Sequence, residues 1–124
     1  RGLGKTLADI EITDEMYMFH RSLYYWISPA ACPVGLFGWV LALEGVAVNF
    51  GEWIYNEVKV AHGPKASNFL KVHSAEDPDH LDKAFESIKQ LNSDDLKLVA
   101  LSTVSYCRQY GRVLESIKSD PLQR

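Results

Sequence analysis

The stretch "PVGLFGWVLALEGVAVNFGEWI", residues 33–54, constrains the fold of this chain most. It is strongly apolar from Val34 to Phe50, yet carries Glu44 near its centre, Asn49, and Gly35, Gly38, Gly45 and Gly51. Its length allows a membrane span. A carboxylate at mid-span is costly in lipid. The expectation is therefore a buried core helix of a soluble, cytoplasmic protein, with no membrane contact, and the rest of the chain must cover it.

The remaining segments read as that cover. Thr13 or Asp14 can cap a helix to about Ile27, with Met16, His20, Leu23, Tyr24 and Ile27 on one stripe. "RGLGKTLADIEI" before it has no clear period. "SPAACPV" ends the first helix, and the long helix runs from about Gly35 to His62, stopped by Gly63-Pro64. Ala66 to His73 reads as a short helix. Asp77 as cap and Pro78 as first residue start another, to about Gln90. From Asp94 to about Ser119, the spacing of Leu96, Val99, Thr103, Cys107, Tyr110, Leu114 and Ile117 predicts a last helix and its packing seam. No segment alternates with period two, and there is no internal repeat. The chain reads as a single all-α helical domain, residues 1–124, with five helices.

Composition narrows the function. The 124 residues are 47% hydrophobic and 23% charged, as in ordinary globular proteins. A net charge of −3 without a basic run argues against nucleic acid as a partner. Cys32 and Cys107 fit no metal or redox spacing.

The chemistry concentrates in "HSAEDPDH", residues 73–80. His73 to Asp77 is a step of four and Asp77 to His80 a step of three, the spacings that share a helix face. His73 and His80 lead into core-facing stripes, whereas Asp79, Asp82 and Glu86 project towards water. On the long helix Asn49, Glu52, Asn56 and Lys59 form the solvent stripe. Glu44 lies about 100° from it on an apolar face, at about 100° per residue. A carboxylate there must be paired, protonated or metal-bound. Two imidazoles and two carboxylates are a set that iron or manganese takes. The plainer alternatives are a Glu44 satisfied by a core Tyr, Arg or Lys, and an Asp77 that only caps its helix with His80 beside it.

"LALEG" followed by "FLKVHSAEDPDHLDKAF" resembles the C-terminal half of the heme-oxygenase-like di-iron oxidases and oxygenases. The likeness is best over residues 36–88. It implies a heme-oxygenase-type bundle in which Glu44, His73, Asp77 and His80 are ligands of iron, in a dinuclear centre. It implies O2 as co-substrate and a small metabolite as substrate, so the expectation is an oxidoreductase. Phe37, Trp39, Val40, Leu41 and Val48 would then wall the pocket. Such proteins are about twice this length, and their other half brings a Glu and a His. This chain has no Glu-x6-His pair ahead of Glu44. Either a missing N-terminal half or a homodimer is expected to complete the bundle, with His20 as a possible extra ligand. The alternative is a metal-free helical binding protein, or a relative of thiaminase-II or pyrroloquinoline-quinone synthase with the same fold.

Overall fold

The computed structural model describes residues 11–28 and 32–118, and for residues 74–78 and 118 the backbone alone. Four α-helices and no strand occur among the described residues, as the missing period-two alternation predicts. They are α1 (Asp14–Trp26), α2 (Leu36–His62), α3 (Asn68–Ile88) and α4 (Ser93–Lys118), with a 3-10 turn at Pro33–Gly35 leading into α2. The irregular lead-in expected over residues 1–10 lies outside the described residues. The heart of the bundle is α2, with α3 and α4 packed on different sides of it and scarcely touching each other; α1 lies mainly along α4.

The helix ends have local causes. The Thr13 hydroxyl accepts from the Met16 amide at 3.3 Å, the expected cap. Gly63 ends α2 at φ 85°, a region that only glycine enters freely, and its N–H donates to the Lys59 carbonyl at 2.9 Å. Asn92 caps α4: its side-chain oxygen accepts from the amides of Asp94 and Asp95, both at 3.0 Å.

The two helices expected on either side of Asp77-Pro78 are one. α3 is continuous from Asn68 to Ile88, so Asp77 is not a helix cap and Pro78 is an interior residue. A proline there leaves the Ser74 carbonyl without its helical donor, at a cost of about 3 kcal/mol. Leu70 ahead of it, and Leu81, Ala84 and Ile88 behind it, are withdrawn from solvent and hold both halves in one line. Packing overrides the local stop signal.

Two stripes are also rotated from their expected places. On α1 the buried residue is Phe19, joined by Leu23 and Trp26, while His20 is exposed and stands edge-on to Tyr24 of its own helix, ring centroids 5.4 Å apart. On α4 the seam is Val99, Ser102, Tyr106 and Val113; Cys107 is exposed, and Leu96, Leu114 and Ile117 are nearly half exposed. Phe19 packs edge-on to Tyr106 at 5.9 Å and lies as close to Tyr110, which fixes both rotations at once. Both helices are apolar around much of their circumference, so spacing alone could not choose the face.

α2 approaches α4 through small residues. Gly38 sits so near α4 that a Cβ built on it would lie 2.5 Å from the Thr103 backbone nitrogen and from Ser102. The Ser102 hydroxyl donates to the Gly35 carbonyl at 2.6 Å and ties the start of α2 to the middle of α4. α2 is less buried than the core helix expected, even beyond its solvent stripe: only Gly38, Ala42 and Gly51 are buried. Pro33–His62 is long and apolar enough to cross a membrane by length and composition, and 22% of its most apolar window is buried.

Candidate functional site

An open cleft of about 390 Å³ lies along α2. Trp39, Leu43, Val46, Ala47, Gly51 and Ile54 form its α2 wall; Phe69, Leu70 and His73 of α3 face them, and Phe19 and Tyr110 come from α1 and α4. The wall is one helical stripe, with steps of three and four from Trp39 to Ile54. Glu44 lines it too, the acidic residue of the cleft among the described side chains.

Glu44 meets α3 there. Its Oε1 lies 3.8 Å from His80 Nδ1, with side-chain exposures of 24% for Glu44 and 49% for His80. The expected meeting of this glutamate with the "HSAEDPDH" segment is therefore present, but at the rim of the apolar interior. Water reaches both groups, so charge balance by itself demands no cation, and a half-exposed pair of this kind contributes little stability. His73 borders the same cleft, half-buried, with its ring 4.2 Å from that of Phe69. The side chain of Asp77 lies outside the described residues.

The donor chemistry suits a divalent metal in part. Bonds of about 2.1 Å from an imidazole nitrogen and a carboxylate oxygen span up to about 4.2 Å across one ion, so a pair 3.8 Å apart needs little movement to share one. His73 and His80 are seven residues apart, about 10.5 Å of helix rise, which suits neighbouring ions better than a single one. Among the described residues, no three His, Cys, Asp or Glu side chains gather closely enough to hold an ion. The described donors make an incomplete set.

Of the expected pocket residues, Trp39 lines this cleft. Phe37, Val40 and Leu41 are half-buried on another side of α2, and Val48 is 40% exposed. Helical projection from Glu44 picked its own stripe, whereas the cleft follows the adjoining stripe through Leu43 and Ala47. The sequence reading missed Leu43, Ala47, Ile54, Phe69 and Tyr110. The signal for the first three was their spacing: Leu43 is four residues from Trp39, Ala47 four from Leu43, and Ile54 seven from Ala47. His20, the candidate extra ligand, is exposed on α1 and does not line its own chain's cleft.

Comparison with protein-family models, with curated proteins and with solved structures finds no match.

Proposed function

We propose that this chain forms part of a non-heme iron, O2-activating oxidoreductase of the heme-oxygenase-like kind, acting on a small metabolite. Glu44, His73, Asp77 and His80 are its ligand residues, and iron, as two ions, is its cofactor, with manganese as the chemical neighbour. The observation that carries the reading is the 3.8 Å approach of Glu44 on α2 to His80 on α3, beside an apolar cleft that His73 also borders. Those residues come from two helices and 29 to 36 positions apart in sequence, so no local capping role brings them together. Bound there, reduced iron would supply the activation of O2. The chain's own residues do the rest. Phe69 restrains the His73 ring, and Trp39, Leu43 and Tyr110 limit water and offer an apolar surface to a substrate.

A metal-free binding protein is the second reading. It is favoured by the water access of Glu44 and His80 and by a cleft that is mostly apolar and aromatic. Thermal unfolding with and without ferrous iron under anaerobic conditions separates the two. Iron is expected to raise Tm by several degrees, because an ion that binds only the folded chain stabilises it by mass action. His80→Ala should abolish the rise, and Asp82→Ala, on the exposed side of α3, should keep it. Equal responses of the two variants would leave the metal-free reading.

A further inference from the structure

A second open groove, of about 720 Å³, runs between α1 and α4, and among the described residues those two helices alone line it. Its walls are second faces of both helices. On α4, steps of three and four from Leu101 through Val104 and Arg108 to Arg112 set a stripe apart from the buried seam of Val99, Ser102, Tyr106 and Val113. On α1, Asp14, Met18 and Ser22 form a matching stripe beside buried Phe19, and Tyr25 continues it. Met18, Tyr25, Leu101 and Val104 are each at least half exposed. The two walls carry opposite charges. Asp14 and Glu15 stand on α1, Arg108 and Arg112 on α4; all four are exposed, and none is in an ion pair among the described residues. They also share a level. Thr13 meets Ser116 at 3.0 Å, so the helices are antiparallel. The Phe19 ring is 5.9 Å from both Tyr106 and Tyr110, which sets Phe19 level with residue 108 and Glu15 level with Arg112.

We infer that a second copy of this chain seats in the groove, with the two-fold axis parallel to α1 and α4. Rotation about such an axis sets the partner's α1 against α4 and the partner's α4 against α1, and it leaves every residue at its own level. The product is a four-helix bundle in which each helix runs antiparallel to its neighbours. Met18, Tyr25, Leu101 and Val104 of both copies fill its interior. The partner's Asp14 and the partner's Glu15 come opposite Arg108 and Arg112, and the same pairing recurs across the axis. A two-fold axis perpendicular to the helices would carry the acids to the far end of the groove, so the charges select the axis. The area suffices as well. At roughly 100 Å² for each of these eight exposed side chains, a copy contributes about 800 Å², the usual share of a stable interface. An unlike partner would need no such match between the two walls of one chain. The groove lies apart from the proposed metal centre, and the inference does not depend on it.

Sedimentation equilibrium of the full chain, with each variant first shown to be helical by circular dichroism, tests the face and the axis separately. The wild-type chain is expected to be a dimer. Leu101→Glu, at an exposed position in the groove, should weaken dimerisation by about tenfold or more, because association would bury an unpaired carboxylate. Val60→Glu, at an exposed position of α2 outside the groove, should leave the dimer intact. The axis is read with two charge-reversed chains, one carrying Asp14→Lys with Glu15→Lys, the other Arg108→Glu with Arg112→Glu. Each alone sets like charges against like in both halves of the interface and should be largely monomeric. Mixed, they should form a heterodimer, since every pairing is again opposite in sign. A wild-type monomer overturns the inference. A dimer that responds alike to Leu101→Glu and Val60→Glu overturns the choice of face. A dimer lost with Leu101→Glu alone, whose reversed chains do not associate on mixing, overturns the axis. None of these measurements involves iron, so the proposed function stands or falls separately.

Discussion

Tyr106 shows how far single residues depend on their surroundings. It is 1% exposed, and its ring anchors Phe19 from α1, yet its hydroxyl meets no hydrogen-bond partner among the described residues. A buried hydroxyl without a partner costs about 1–3 kcal/mol, while the ring around it contributes through burial. Tyr106→Phe keeps the ring and removes the orphan. The urea midpoint is expected to rise by the equivalent of about 1 kcal/mol. A fall would mean that the hydroxyl holds a bound water in the native state. Trp39 has the same property: its indole N–H is buried at the wall of the cleft and has no partner among the described residues. The sequence reading placed Trp39 on the pocket wall and left Tyr106 out of the α4 seam, and the polar atoms of both could be judged only with neighbours in place.

At the scale of elements, α3 is where local signals and packing disagree. Asp77-Pro78 is a helix start by its residue types, and it is the interior of a 21-residue helix in the fold. If α3 is continuous, Pro78→Ala restores the amide that the Ser74 carbonyl lacks. The expected gain is up to about 3 kcal/mol in urea unfolding, with unchanged helical content. A neutral or unfavourable effect would fit a helix that begins at Pro78, where proline is welcome. The continuity matters to the site, because it keeps His73 and His80 on one rigid axis, two turns apart. Glu44 was legible as a misplaced carboxylate, since its apolar neighbours recur at helical spacing. The identity of the cleft wall was not legible, because α2 has two apolar stripes and only contact with α3 selects one.

For the molecule as a whole, exposed apolar area is the dominant fact. Among the described residues its buried apolar side chains form a short set, Phe19, Ala42, Ala84, Ile88, Val99, Tyr106 and Val113, for four helices. Patches of several hundred Å² are rare on monomers and mark places where something binds. If a second copy covers them, folding and association are coupled and stability depends on concentration. Tm is expected to rise by several degrees over a hundredfold increase in protein concentration, without added metal. A Tm independent of concentration would show that these faces are stable in water or covered within one chain.

The sequence by itself determined the all-α class, the ends of α1, α2 and α4 to within a residue or two, and the solvent side of α2. Each of these depends on chemistry within one turn: caps, a glycine at positive φ, and polar residues at steps of three and four. Only the tertiary structure decided that α3 runs through Pro78, that Phe19 rather than His20 faces α4, and that Glu44 lines a half-open cleft beside His80. Those outcomes depend on distant partners. The ~3 kcal/mol of one lost helical bond is outweighed by packing along the whole of α3, and on helices apolar on several sides the buried face is chosen by whichever neighbour fits against it.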